Sequence, residues 1–228
     1  MGYNMKFNRL LFPLVAAALT GSLAAAICGS AAAELAVRLA QKPNCNDPQN
    51  QAEMNACASL SYQNADKKLN QVYQQVRSNL QGANREKLTL AQLAWIEFRD
   101  GNCAFARTEV EGGSMEPMIF SGCLADLTKK RTASLESYNR GQLPQPSGKS
   151  YQEADRKLNQ VYQQLRSKVS AARRAKLETA ELAWIKFRDG NCRFESTLAR
   201  AGENLCLTRL TEQRTGELEN FLAGMEGR

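Results

Sequence analysis

The chain has 228 residues, with 30 basic and 23 acidic side chains, seven cysteines, no histidine and a formal net charge of +7. The absence of histidine excludes Ser-His-Asp and Cys-His nucleophilic chemistry and the usual histidine-containing zinc sets, and no Cys-x-x-Cys pair offers another metal motif. The charge excess is weaker than a nucleic-acid binder shows, and a composition of 43% hydrophobic and 23% charged residues is that of a globular chain holding one large or two small domains.

Lys6 and Arg9 precede an apolar run from Leu10 to about Leu23, and small residues then lead to Ala31-Ala32-Ala33. This is the layout of a secretory signal peptide over residues 1–33, because the run is short and Gly/Ser-interrupted for a membrane span. Cleavage after Ala33 would remove Cys28 and leave Cys45, Cys57, Cys103, Cys123, Cys192 and Cys206, an even set suited to an oxidising compartment. The expected product is exported, periplasmic or secreted.

From Tyr62 to Cys103 the sequence repeats itself without a gap from Tyr151 to Cys192, with 29 of 42 positions identical. "ADKKLNQVYQQVRS" returns as "ADRKLNQVYQQLRS", "LAWIEFRDGNC" as "LAWIKFRDGNC", and "CLADLTKKRTASLE" as "CLTRLTEQRTGELE". Ala65, Leu69, Val72, Tyr73, Val76 and Leu80 recur at helical spacing, as do Leu88, Ala91, Trp95 and Phe98, then Leu124, Leu127, Arg131, Leu135 and Tyr138. Each repeat therefore reads as a three-helix unit. Ser150 with Glu153 forms a capping-box pattern, and Asp47-Pro48 is expected to cap a short extra helix ahead of the first repeat.

The predicted fold is all-α: two related, disulfide-linked three-helix units, the first spanning residues 34–140 and the second 151–228. Between them residues 141–150, within "RGQLPQPSGKS", carry Gly, Pro and Ser without an apolar period and read as a linker. Two helical domains joined there is the first expectation, and a single fused bundle the alternative, since units this small have little core of their own. Because Cys103 and Cys123 occupy the places of Cys192 and Cys206, each repeat should close its own bridge, which leaves Cys45 with Cys57. By the loop-entropy argument each link contributes on the order of 3 kcal/mol.

The repeated polar residues read as structural rather than chemical. Arg99 lies four residues after Trp95, so its guanidinium can cover the indole and meet Asp66 or another helix's carboxylate. Asp100 follows it, and Asp155, Arg188 and Asp189 repeat the set. Arg131 and Arg214 read as partly buried arginines tying the third helix of each unit to the first or second. Paired carboxylates for glycosidase work would need placement across a cleft, which nothing in the sequence supplies, so neither an enzyme nor a cofactor is expected. A basic cluster in the second repeat, Arg166, Lys168, Arg173, Arg174 and Lys176, could touch anionic envelope polymers or lipid headgroups. Nucleic acid is not an expected partner.

The ordered motifs "MNACASLSYQNADKKLNQVY", "LAQLAWIEFRDGNCAF", "GGSMEPM" and "CLADLTKKRTASLE" resemble the LprI-type lysozyme inhibitor family. The resemblance covers Cys45 to Tyr138 in full, and the second unit resembles a shortened copy without the N-terminal cysteine pair and the Gly-Gly-Ser-Met loop. It implies an all-helical envelope protein that binds and inhibits lysozyme or another muramidase. Between the repeat's two cysteines the second unit is six residues shorter, so Glu109, Glu111, Gly112, Gly113, Ser114, Met115 and Glu116 form an acidic, Gly-hinged insertion clamped by the expected 103–123 bridge. This insertion is the candidate partner-binding loop.

Overall fold

The computed structural model describes residues 43–143, 145, 148–198 and 202–226. Six helices follow one another: α1 (Gln51–Ser78), α2 (Gly82–Ala106), α3 (Glu116–Asn139), α4 (Tyr151–Lys168), α5 (Ala171–Glu195) and α6 (Glu203–Glu226). The expected signal peptide lies outside the described residues. Among those residues no helix is long and apolar enough to cross a membrane.

Local sequence explains the helix ends. The Asn50 side chain accepts from the Glu53 amide at 2.9 Å to start α1, and the Ser150–Glu153 box starts α4 as its pattern predicts. Asp47-Pro48 lies in a turn before α1 and caps no separate helix. The added N-terminal segment is helical, but no breaker separates it from the repeat, so it runs unbroken into α1.

In each repeat the first and third helices run side by side in parallel, because the second helix carries the chain back between them. Lys68 pairs with Glu136 at 3.2 Å, and its counterpart Lys157 with Glu219 at 2.9 Å. The middle helix packs mainly elsewhere. α2 lies antiparallel against α5 of the other repeat and makes little contact with α1.

Small residues permit that approach. A Cβ added at Gly101 would lie 3.5 Å from the Ala180 Cα, and one at Gly190 would lie 3.8 Å from the Ala91 Cα. These two contacts are reciprocal, since Gly190 and Ala180 are the repeat equivalents of Gly101 and Ala91. Phe98 stacks on its own equivalent Phe187, with centroids 5.9 Å apart and planes 1° from parallel. Phe105 meets Phe221 edge-on at 5.1 Å, and Tyr138 meets Phe194 in the same way at 5.6 Å. Such reciprocity is the signature of an isologous, two-fold interface, here formed within one chain.

Residues 43–228 accordingly form one compact unit with one continuous core. The fused bundle, rather than two separate domains, is the arrangement seen. The cause is that the apolar faces of α2 and α5 are each other's cover. One substitution adapts the interface to fusion: position 97 is Glu in the first repeat and its equivalent 186 is Lys in the second, and the two pair at 2.6 Å. Two copies of either repeat alone would set like charges there.

Candidate partner-binding loop and inter-repeat groove

The insertion begins where α2 tightens into a 3-10 turn over Arg107–Val110. Gly112, at φ +76°, then turns the chain with a left-handed conformation that glycine adopts without strain. The Gly113 amide donates to the Val110 carbonyl at 2.9 Å and the Glu116 amide to the Gly113 carbonyl at 3.0 Å. The Glu116 carboxylate accepts from the Gly112 amide at 2.8 Å and lies 3.7 Å from Arg107. Asn55 of α1 donates to the Ser114 carbonyl at 3.0 Å, and the Cys103–Cys123 bridge closes the base. The other two bridges are Cys45–Cys57 and Cys192–Cys206, the pairing expected from the repeat.

The insertion is therefore a built loop, and its charges are already engaged within the chain. Glu109 lies 3.5 Å from Arg173 and Glu111 lies 3.6 Å from Lys176, both in the first turns of α5. Arg173 also donates to the Thr108 hydroxyl at 2.9 Å and lies over the Phe105 ring. Arg166 of the same basic cluster pairs with Glu178 at 2.9 Å. What the loop presents to solvent is Glu111 and the tip, Gly112, Gly113, Ser114 and Met115, with the methionine 42% exposed.

Arg99 covers the Trp95 ring at 5.0 Å and pairs with Asp66 at 3.5 Å and Asp100 at 2.8 Å. Arg188 covers Trp184 at 5.0 Å and pairs with Asp189 at 2.8 Å. Asp155 accepts from Asn159 on its own helix, four residues on.

Arg131 and Arg214 reach farther than their own units. Arg131 donates to Gln92 at 2.9 Å and to Asn191 of the second repeat at 2.7 Å. Arg214 donates to Glu181 at 3.0 Å, to Glu217 at 3.1 Å and to Asn102 of the first repeat at 2.7 Å. Their rings are likewise exchanged: Arg131 lies over Phe187 at 5.4 Å and Arg214 over Phe98 at 5.2 Å. Both arginines are almost wholly buried, at 3% and 1% exposure. The identical "RDGNC" of the two repeats held the signal for Asn102 and Asn191, but spacing alone could not say that each serves the other repeat. Above the stacked Phe98–Phe187 pair, between α3 and α6, opens a groove of about 550 Å³ that reaches Arg131. No periodicity in the sequence marked it.

At one end of the interface the two-fold is broken. Tyr138 donates to Glu195 at 2.5 Å, Asn191 donates to the same carboxylate at 2.9 Å, and Arg209 pairs with it at 2.5 Å, all of them buried. The equivalents of Tyr138, Glu195 and Arg209 are Phe221, Ala106 and Asp126. Burial first, and then the Glu195 charge, push the Tyr138 hydroxyl up to about 12 from 10.0. Between those values the unfolded chain has lost this proton while the folded chain keeps it, so stability is intact below about pH 10 and falls as pH rises toward 12. The difference corresponds to roughly 3 kcal/mol. Tyr138→Phe, which copies the second repeat, is expected to make the fall in melting temperature from pH 9.5 to 11.5 shallower than in the parent. Equal slopes would assign the alkaline loss to other groups.

The fold and its loop define a class, a disulfide-stapled helical scaffold made from two fused copies of one unit. Residues 44–135 and 139–218 each match the family model described as lysozyme inhibitor LprI, and the chain belongs to that family. The family is described by inhibition and not by catalysis. An uncharacterized protein of Rhizobium meliloti (strain 1021) is 43% identical over 108 residues, which is 42% of this chain and 78% of that protein, about the extent of one repeat. The crystal structure of an uncharacterized protein from Burkholderia thailandensis superposes with a TM-score of 0.58 at 20% identity, covering 88% of this chain and 97% of that one. At that identity the likeness is one of fold.

Proposed function

We propose that the chain is an exported inhibitor that binds and blocks a peptidoglycan-cleaving muramidase, with the tip of the insertion as its binding element. The observation that carries the reading is family membership in both repeats. The loop supports it. A segment braced by a disulfide, by Asn55 and by two ion pairs to α5 loses little conformational freedom on binding. Met115 gives an adaptable apolar contact, and Gly112 and Gly113 let backbone approach a cleft closely.

Since Glu109 and Glu111 pair with Arg173 and Lys176, recognition rests on the tip, with the solvent-exposed Glu111 at its edge. The same pairings draw charge away from the basic cluster, which weakens the alternative of salt-sensitive attachment to an anionic envelope polymer. The reading is tested by residual activity of several lysozyme classes on a cell-wall suspension at increasing concentrations of the chain. Met115→Ala is expected to weaken inhibition about tenfold, the scale of one well-placed interface side chain, while leaving the melting temperature unchanged. Full inhibition by the variant would move the site off the loop, and no inhibition of any class by the parent chain would overturn the function.

A further inference from the structure

The groove between α3 and α6 has the size and composition of a small-molecule site rather than of a packing defect. Pockets of a few hundred Å³ with apolar walls and few polar groups are the usual form of such sites, and they occur between helices of bundles. Here the volume is about 550 Å³, the floor is Phe98, Phe187 and Trp95, and Arg131 forms part of the wall with Lys130 beside it.

The two buried arginines differ in a way that points to a ligand. Arg214 is held by two carboxylates, Glu181 and Glu217. Its equivalent Arg131 hydrogen-bonds the neutral amides of Gln92 and Asn191 and no carboxylate, while the Nη2 of both arginines is buried without a hydrogen bond. The carboxylate whose charge acts on it, Glu195, is already engaged by Arg209. Glu217, which also borders the groove, is held by Arg214. Lys130 pairs with Asp126 at 2.8 Å in an exposed position, and Arg131 has no ion-pair partner of its own among the described residues. A buried cation with neutral partners beside an apolar cavity favours an anion whose remaining body is apolar.

We propose that the α3–α6 groove binds a small amphiphilic anion, an apolar or aromatic body carrying one carboxylate or sulfonate, seated over Phe98 and Phe187 with its charge toward Arg131. The site is independent of the muramidase-binding loop, which lies at the far end of α2 and leads into the start of α3. Gly216 gives a clean way to close it. This residue borders the groove within α6, and a Cβ placed there meets nothing within 4 Å, so a large side chain fills the groove while the helix gains propensity.

The test is fluorescence titration of the intact chain with 8-anilinonaphthalene-1-sulfonate and, separately, with its uncharged analogue N-phenyl-1-naphthylamine. The expected result is saturable binding of one sulfonate probe per chain, displaced by decanoate and not by decanol. Gly216→Phe is expected to weaken both probes about tenfold or more without lowering the melting temperature. Arg131→Gln is expected to weaken the sulfonate about tenfold or more, the worth of one charged hydrogen bond, and the neutral analogue by much less. Arg131→Lys, which keeps the charge, should retain most of the sulfonate affinity and serves if the glutamine variant fails to fold. Sulfonate binding unchanged by Gly216→Phe, or a loss shared equally by both probes on removal of the Arg131 charge, would overturn the proposal.

Discussion

Arg214→Met is expected to lower the stability of the chain by about 3–5 kcal/mol, the cost of breaking a buried ion pair by removing one partner. The guanidinium is the common partner of Glu181 on α5, Glu217 on α6 and Asn102 on α2. Without it, Glu181 is left as a buried carboxylate, 9% exposed, with no cation in hydrogen-bond reach among the described residues. The equivalent change Arg131→Met should cost less, about 1–3 kcal/mol, because it strands two neutral amides and no charge. Urea unfolding of both variants measures the difference. Adding Glu181→Gln to Arg214→Met is expected to recover part of the loss, since the pair is coupled and the second change removes the stranded charge. Equal losses at positions 131 and 214, or no recovery in the double variant, would contradict this account.

Cutting the chain in the 141–150 segment is expected to leave neither half with a cooperative fold on its own, and mixing the halves should restore a one-to-one complex. Four buried rings each pack against a ring of the other half: Phe98 on Phe187 and the reverse, Phe105 on Phe221, and Phe194 on Tyr138. Exposing a buried phenylalanine costs about 1.5–3 kcal/mol. Four of them amount to roughly 10 kcal/mol, comparable with the whole stability of an ordinary domain. The close helix approach at Gly101–Ala180 and Ala91–Gly190 is lost as well. Thermal melts of each half and of the mixture, with the mass of the mixed species, give the answer. A half that melts cooperatively as a monomer would show that a repeat folds alone. The Glu97–Lys186 pair adds a specificity term, since self-pairing of either half would oppose two carboxylates or two ammoniums.

The loop is fixed from two sides, by the 103–123 bridge within its own repeat and by Arg173 and Lys176 of the other. The second repeat is therefore part of what holds the first repeat's loop in place. This gives a physical use for a shortened copy that carries no such insertion.

The sequence by itself determined the helices, their apolar stripes, the repeat and the pairing of six cysteines. These are properties of local periodicity and of one alignment: Leu69, Val72 and Val76 fall on one helical face at any packing, and equivalent cysteines in equivalent units must bridge in equivalent ways. The contact of Arg99 with Trp95 and Asp66 was also within its reach, because all three residues lie in one unit. Only the tertiary structure decided which surface each middle helix covers. Periodicity shows that Leu88, Ala91, Trp95 and Phe98 face something apolar, and it is silent on whether that something is α1 or α5. Everything that depends on this choice was beyond the sequence: Asn102 serving Arg214 and Asn191 serving Arg131, the acidic loop meeting the basic cluster, and the groove over Phe98 and Phe187. All of these are contacts between residues 60 to 112 positions apart, made possible by the small side chains at Gly101, Gly190, Ala91 and Ala180, which let two helices approach closely enough to fuse two units into one core.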